Sequence, residues 1–505
     1  MLKRNLIANY LGQGWTAIMG LAFIPLYIKY LGIESYGLIG LFALLQTWLN
    51  LLDMGMKPTL SREMARFTGG SHTPITIRDL IRSVEIISIG MAIFISGSIA
   101  LGADWLASSW LKAETLPQPI VAEAFTIMGV VTALRFVEGV YSSAINGLQR
   151  QVLLNVLSSS IATLRGVGGV LILIWISPTI EAFFIWQGML SIVSIIVLSV
   201  ATYSSLPQTG INARFSLSSL RSLWVFGGGI VTITLLSFFL TQVDKIILSK
   251  LLSLSDFGYY TIAVTLAGAL LMLASPVTTA WYPRLSELYS ANNQMGFIFI
   301  FHNGAQLITV FLGGPALVLI FFSEEFLLLW TQDASLAART APLVSLLILG
   351  NLFVGLNSMP ATAQLAFGWT SLSVRLHFVA VLIVVPSIMW VVPRYGSLGA
   401  SFVWASLNIC YVLFGTPIMF RRIMRTEKWQ WFVNDIFYPL ICGLSLMLFL
   451  RWSLPKPEGV TESAVTLIIA TLLALIGTGL GASFVRRNII SISRAWFEIF
   501  FIKKK

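Results

Sequence analysis

Apolar runs of about 20 residues recur from one end of the chain to the other, and they constrain its fold more than any other feature. A helix of that length crosses the ~30 Å hydrocarbon core of a bilayer and satisfies its own backbone hydrogen bonds there. Charged residues make up 10% of the 505 residues, whereas soluble domains carry about 25%. The sequence therefore predicts an all-α polytopic membrane protein without a soluble catalytic domain.

The apolar runs are bounded by charges, prolines and glycine clusters, and they predict fourteen spans, with twelve as the alternative. If the N-terminus is cytoplasmic, inward-facing segments hold about three times as many Lys and Arg residues as outward-facing ones, as the positive-inside rule requires. We therefore expect both termini in the cytoplasm and an uncleaved first span. The predicted spans are 5–29, 37–56, 83–103, 120–145, 152–176, 180–203, 224–249, 257–280, 298–322, 342–366, 373–392, 397–419, 432–450 and 463–485.

A segment repeated at an offset of 221 residues divides the chain. Residues 27–38 align with residues 248–259, so that Gly37 falls on Gly258. The first copy joins spans one and two, and the second joins spans seven and eight. Six spans per repeat give both halves the same orientation, related by a pseudo-twofold axis along the membrane normal. The predicted domains are an N-lobe at 1–215, a C-lobe at 216–425, and two extra spans with a basic tail at 426–505.

Three ionisable residues lie deep within predicted spans. Each such residue costs on the order of 2.5–3.5 kcal/mol at a helix centre, so it marks a candidate functional site. Arg135 and Glu138 lie three apart on span four, where they can pair, which leaves Arg165 on span five without a partner nearby in sequence. Arg165 either ties two helices together, through Glu138 or backbone carbonyls, or faces a cavity where water or an anionic ligand supplies the counter-charge.

Two neighbouring spans also carry stripes of polar side chains at helical spacing. The stripes are either hydrogen-bonded contacts between helices or the lining of a water-filled cleft. The candidate cavity residues from these stripes are Asn9 and Gln13 on span one, and Gln46, Asn50 and Asp53 on span two.

Asp244 and Lys245 lie near the outer end of span seven and are candidates for ion coupling. A buried carboxylate at Asp244 could bind a cation or a proton, whereas Lys245 is also suited to reach the outer surface. No phosphate-binding loop or hydrolase motif is present. The histidines and cysteines have no metal or disulfide spacing, so we expect no metal, no cofactor and no enzymatic activity, with both cysteines packed as thiols. These residues are His72, His302, His377, Cys410 and Cys442.

The starts of both halves carry recognisable motifs, at Leu31–Phe42, Leu51–Met56 and Ser61–Arg66 and again at Asp244–Leu248 and Phe257–Tyr260. In these segments the sequence resembles the polysaccharide transporter family, whose best-known members are the O-antigen and capsule repeat-unit flippases. That family lies within the multidrug, oligosaccharidyl-lipid and polysaccharide exporter superfamily. Beyond about residue 370 the match is in hydropathy only.

The resemblance implies a bilobed, V-shaped bundle in the bacterial inner membrane. Such a protein moves an undecaprenyl-pyrophosphate-linked oligosaccharide to the periplasmic leaflet by alternating access. The carboxylate of Asp244 would suit coupling of this transport to a cation or proton. The resemblance also implies a cationic cavity, for which Arg135 and Arg165 are the matching positions, with amides such as Gln46 on sugar hydroxyls. Expected partners are the lipid-linked oligosaccharide, membrane lipids, and the polysaccharide polymerase and chain-length machinery, but no nucleic acid. Fourteen spans would depart from the twelve usual in the family.

Three alternatives compete with this interpretation. A multidrug antiporter of the same superfamily should have an acidic and aromatic cavity, and an unpaired Arg165 argues against it. A membrane polymerase or glycosyltransferase needs a sizeable extramembrane loop, but the longest predicted outer loops run to about 20 residues. A non-transporting assembly partner has no use for charges inside the bilayer.

Overall fold

The regular elements of this computed structural model are all helices within the residues that it describes, which confirms the predicted all-α membrane fold. Those residues are 2–53, 55–68, 70–208, 213–216, 238–239, 241–369, 371–455 and 459–487, with the backbone alone at 2–8 and 49–52. The helices are α1 Leu2–Ala22, α2 Ile24–Leu52, α3 Met56–Thr68, α4 Pro74–Trp105, α5 Gln118–Gly147, α6 Gln151–Trp175, α7 Ile180–Ser204, α8 241–251, α9 Leu254–Leu271, α10 Ser275–Ser290, α11 Gln294–Phe321, α12 Ser323–Thr331, α13 Ala334–Leu356, α14 Ser358–Ala366, α15 Ser371–Cys410, α16 Thr416–Ile423, α17 Lys428–Ser453 and α18 Val460–Gly481.

Eleven of the described helical segments are long and apolar enough to cross a membrane. One of them, Ser371–Ile423, has 53 residues and would be roughly 80 Å long if straight, more than twice the hydrocarbon thickness. Gly396, at φ +58°, interrupts it between the predicted spans 373–392 and 397–419. Helix α1 is not among the eleven, and most of the predicted span 224–249 lies outside the described residues. The count of fourteen therefore stays a prediction.

The surface of the helices is apolar, as lipid requires. Phe94 is 72% exposed and Trp175 is 76% exposed, which water would penalise heavily but hydrocarbon does not. Cys410 is also exposed and Cys442 is half-buried. The expectation that both thiols are packed is wrong for Cys410, because its position on α15 lies on the helix surface and not in a core.

The chain forms two compact units, Met1–Gly258 and Tyr259–Lys505. The second unit includes the two final helices, since Met447 of α17 and Ala470 of α18 share a buried cluster with Leu317 of α11. These helices therefore help to build the core of the second unit. The first unit extends past the predicted N-lobe, to the end of the second copy of the repeated segment.

The two copies of the repeated segment have matching backbone breaks. Gly32 adopts φ +80° inside α2, a conformation that glycine accepts at little cost. At the same offset, residues 252–253 separate α8 from α9. A break at corresponding places supports the repeat, since each copy ends one helix and begins the next.

The two copies also contact each other reciprocally. A Cβ at Gly37 would lie 2.5 Å from the carbonyl oxygen of Leu254, and a Cβ at Gly258 would lie 2.5 Å from that of Ile33. Ile33 and Leu254 are themselves related by the offset of 221. Glycine is needed at both positions because any side chain would force the two helices apart.

Candidate functional site

A cavity of about 510 Å³ lies in the first unit among α1, α2, α5, α6 and α7. Four of the predicted site residues line it, namely Gln46, Arg135, Glu138 and Arg165. They come from three different helices, α2, α5 and α6, and the fold brings them together. The predicted binding roles of these residues are proposals that the geometry supports.

Arg135 is held by two neutral amides. Its Nη1 donates to Oε1 of Gln46 on α2 at 2.7 Å, and its Nη2 donates to Oε1 of Gln187 on α7 at 2.9 Å. The guanidinium also lies 4.9 Å over the ring of Phe42, a cation–π arrangement. Its Nε is buried without a hydrogen-bond partner among the described residues. Arg135 is therefore oriented without being neutralised.

Arg165 pairs with Glu138. Its Nη2 donates to Oε2 of Glu138 at 2.7 Å and to Oγ of Ser191 at 3.2 Å. The two charged side chains are 19% and 16% exposed. The expected pairing of Arg135 with Glu138 is therefore not the one found, and Arg165 is not left alone, because α6 lies close enough to α5 for Arg165 to reach the carboxylate first.

A glycine on α6 brings that helix close to the junction of α1 and α2. A Cβ at Gly166 would overlap the ring of Phe23, which lies between α1 and α2. The hydroxyl of Tyr27 donates to the carbonyl oxygen of Gly166 at 3.4 Å, and the Tyr27 ring packs edge-on against Phe183 of α7 at 4.9 Å. Close helix contact at glycine is the usual way membrane helices pack. It sets the depth at which Arg165, the preceding residue, enters the cavity.

The cavity carries a net positive charge. Two guanidinium groups and one carboxylate line it, which leaves a net charge of +1, since Arg stays protonated in proteins. Glu138 cancels Arg165, so the excess charge resides on Arg135. A guanidinium that has only amide acceptors can exchange them for phosphate oxygens, which it binds in a planar, bidentate geometry. The arrangement is suited to bind one anionic group.

The remaining stripe residues lie outside this lining. Asn9 donates to Oε1 of Gln151 at 2.8 Å and accepts from Asn155 at 2.5 Å, so it joins α1 to α6. Asp53 is buried and accepts from the backbone N–H of Lys57 at 3.1 Å, which caps the start of α3. Gln13 is exposed, and the side chain of Asn50 lies outside the described residues.

The two candidates for ion coupling lie on α8. Asp244 is 9% exposed. Lys245 donates to the carbonyl oxygen of Thr241 and to Oε1 of Gln242, both at 3.0 Å. The Lys245 ammonium is therefore engaged by its own helix.

Sequence reasoning missed Gln187, which is 4% exposed and binds Arg135 from α7. The signal was present, because Gln187 is an amide within the apolar run 180–203. A polar amide inside a membrane helix also requires a partner. Applying the rule for ionisable residues to amides would have found it.

Comparison with known proteins places the fold. Residues 2–289 match the family described as polysaccharide biosynthesis protein. The "Putative O-antigen transporter" of Shigella flexneri is 19% identical over 409 residues, which cover 80% of this chain and 94% of that protein.

Two solved structures have the same fold as this chain. The lipid II flippase MurJ in an inward closed conformation is 15% identical with a TM-score of 0.71, and the match covers 96% of this chain and 99% of that one. An inward-facing multidrug resistance transporter of the MATE family, from the MOP superfamily, is 15% identical with a TM-score of 0.64, covering 82% and 96%. At these identities the structures have a common fold with this chain.

Proposed function

This chain belongs to the polysaccharide biosynthesis protein family, as its resemblance to polysaccharide transporters predicted, and from that premise we propose that it flips a lipid-linked oligosaccharide. The cargo is an undecaprenyl-pyrophosphate-linked repeat unit of O-antigen, capsule or exopolysaccharide. It crosses the bacterial inner membrane by alternating access, coupled to an ion. Both termini then lie in the cytoplasm.

One observation carries this proposal, namely that Arg135 has amide partners but no carboxylate partner in the described part of the chain. A pyrophosphate cannot enter hydrocarbon unaided, because an unpaired charge there costs far more than a hydrogen bond returns. The guanidinium of Arg135 would bind the phosphate. Released amides of Gln46 and Gln187 would then bind sugar hydroxyls or phosphate oxygens.

The named relatives support the same cargo class. The Shigella flexneri protein is named for O-antigen transport, and MurJ is named as a flippase of lipid II. Both names describe movement of a saccharide carried on a lipid. A protein of this kind is a transporter and not an enzyme, and its further partners would be the polymerase and the chain-length machinery.

The other predicted residues have secondary roles in this proposal. Arg165 and Glu138 would supply a charge-balanced edge to the cavity. Asn9, Gln13, Asn50 and Asp53 would contribute polar groups along α1 and α2 when the cavity opens. Asp244, buried on α8, would bind the coupling cation, with Lys245 beside it.

An apolar cavity in the second unit is suited to a lipid chain. It has a volume of about 760 Å³ and is lined by α11, α13, α17 and the segment between α15 and α16, with Phe321, Phe353 and Phe432 among its side chains. Hydrocarbon that fills such a cavity removes apolar surface from water, which is favourable by about 25 cal/mol per Å². An isoprenoid chain is one such hydrocarbon.

The second candidate function is multidrug antiport, which the MATE structures favour by fold. Its expected cavity is acidic, whereas the cavity here has a net charge of +1. An arginine without a carboxylate partner in the cavity disfavours cationic drugs. That arginine is Arg135 and not Arg165, because Arg165 pairs with Glu138. We therefore rank antiport of cationic drugs second.

Deleting the gene in its host tests the proposal. The expected result is accumulation of undecaprenyl-pyrophosphate-linked oligosaccharide on the cytoplasmic side, with loss of the surface polymer. Restoring the wild-type gene should reverse both effects. Loss of drug resistance with an unchanged pool of lipid-linked intermediates would favour the antiporter.

A further inference from the structure

The second unit contains a buried cluster of titratable side chains that has no part in the cavity described above. Nδ1 of His302, on α11, contacts Oδ2 of Asp435 on α17. Nε2 of the same ring lies 3.2 Å from Oε2 of Glu427, in the turn before α17. His302 is 6% exposed and Asp435 is fully buried. Groups of this kind are retained in a membrane protein chiefly for function.

The cluster joins three segments of the second unit. Gln306, one turn after His302 on α11, donates to Oδ1 of Asp435 at 2.8 Å. Its own Oε1 accepts from the backbone N–H of Phe484 at 2.7 Å. Both carboxylate oxygens of Asp435 are therefore satisfied, and α11, α17 and the segment after α18 are tied to one another through it.

The proton count of this cluster decides which contacts can form. A neutral imidazole has one N–H donor and one lone pair, yet both ring nitrogens of His302 face carboxylate oxygens. If both carboxylates were ionised and the ring neutral, a lone pair would oppose an anion at one of the two contacts. Both contacts are hydrogen bonds only when the cluster holds one additional proton, on the ring or on a carboxyl group.

Neighbouring charges contact other groups. Among the described elements around α11, two ion pairs join Arg284 to Glu287 and Arg451 to Glu325. Three cations lie over aromatic rings, namely Arg339 over Tyr259, Arg422 over Trp369 and Lys428 over Trp429. Two arginines donate to backbone carbonyl oxygens, Arg425 to that of Arg421 and Arg486 to that of Leu480. Glu324 lies beyond the end of α11, at the start of α12, and Glu462 lies in the first turn of α18, at the opposite end of that helix from Phe484. Because both ring nitrogens of His302 face carboxylate oxygens, the ligand that fits this cluster is a proton.

We propose that His302, Asp435 and Glu427 form a proton-binding site that couples transport to the proton gradient; its transport step rests on the proposed function. Glu427 is the most exposed member, at 15%, and provides the entry for the proton from the predicted cytoplasmic side. Loss of the proton breaks the longer contact, between His302 and Glu427, and frees the turn before α17 from α11. This site is distinct from Asp244.

Nuclear magnetic resonance of the full-length protein tests proton binding without any cargo. The chain has three histidines, so selective ¹⁵N-histidine labelling gives three imidazole groups, and His302→Gln identifies the signals of His302. We expect His302 to carry protons on both ring nitrogens at mildly acidic pH and to lose one as pH rises, in a step that Asp435→Asn displaces. The signals of the other two histidines should be the same in the wild type and in Asp435→Asn. His302 ring signals that do not change with pH at all, or a titration unaffected by Asp435→Asn, would overturn the site.

Transport in proteoliposomes tests the coupling step. The probe is the lipid-linked oligosaccharide extracted from the deletion strain. For one proton per cargo, a gradient of one pH unit should change the ratio of cargo between leaflets about tenfold. His302→Gln should lose this response, whereas His377→Gln, a half-buried imidazole of the same unit, should keep it. Transport by the wild type that ignores the gradient overturns the coupling. Normal His302 titration with no transport at all would instead overturn the proposed function.

Discussion

Arg165 on α6 donates to Glu138 on α5 at 2.7 Å, and the pair cancels its own charge inside the cavity. The excess positive charge therefore belongs to Arg135, which is held by the amide oxygens of Gln46 and Gln187. A cavity with a net charge of +1 attracts one anionic group. The guanidinium of Arg135 then determines how that group is oriented.

Arg135→Gln should reduce translocation by at least about tenfold, because hydrogen bonds to charged groups contribute roughly 1.5–3 kcal/mol each and 1.4 kcal/mol is a factor of ten. The translocation rate of Arg135→Lys should lie between those of the wild type and Arg135→Gln, because Lys keeps the charge but lacks the planar guanidinium. Recovery of surface polymer in the deletion strain measures both. The matched control is Arg394→Gln, because Arg394 is exposed and stacks on Trp390 of its own helix. Equal defects at both positions would contradict a specific role for Arg135.

Gln187→Glu changes the charge of the cavity with almost no change in side-chain shape, so it separates effects on anion binding from effects on protein stability. A carboxylate 2.9 Å from Arg135 would strengthen that contact but make the cavity neutral overall. We expect transport to be lost while the thermal unfolding midpoint in detergent stays the same or rises. Gln187→Leu should instead lower the midpoint, because Arg135 loses an acceptor. Normal transport by Gln187→Glu would refute the need for net positive charge.

The Arg165–Glu138 pair should behave as a coupled unit. Arg165→Met leaves the carboxylate to neutralise Arg135, whereas Glu138→Gln raises the net charge of the cavity to +2. The double variant should unfold at a higher temperature than the sum of the two single effects predicts, with a coupling of about 0.5–3 kcal/mol. Transport should suffer most in Arg165→Met and recover partly in the double variant, which restores the charge of +1. An additive double variant would indicate that the pair is not formed in the membrane.

Gly37→Ala and Gly258→Ala should destabilise the protein to a similar extent. Each added methyl would lie 2.5 Å from a carbonyl oxygen of the other copy, and overpacking of this kind costs about 1–3 kcal/mol. The control is Gly97→Ala on α4, where nothing lies within 4 Å of the new Cβ. Thermal unfolding in detergent gives the comparison. A tolerated alanine at either repeat position would show that the two helices do not approach so closely.

The existence of a charged cavity could be predicted from the sequence, because an ionisable residue in an apolar run has few reasons to be there. Its internal pairing could not. Arg135 and Glu138 are compatible as partners along one helix, but the choice between two guanidiniums depends on how far α6 approaches α5. The position of α6 depends on contacts such as Gly166 against Phe23, across 143 positions, which helical periodicity does not encode.

Polar stripes were similarly ambiguous. Gln46 and Asn9 look alike in sequence, since each lies on a polar face of an early span. The first reaches Arg135 in the cavity, and the second joins α1 to α6 through Gln151 and Asn155. Only the positions of the neighbouring helices separate a binding group from a contact between helices.

The reciprocal glycine contact has a consequence for the history of the chain. Contacts in which one position meets a second, and the second meets the first, are what a twofold axis produces in a homodimer. Gly37 with Leu254, and Gly258 with Ile33, have this form within a single chain. A half-length ancestor would have made the contact twice between identical copies, so that one glycine served both sides. Duplication and fusion of such an ancestor would let the two sides diverge, so that a charge such as Arg135 could arise in one half alone.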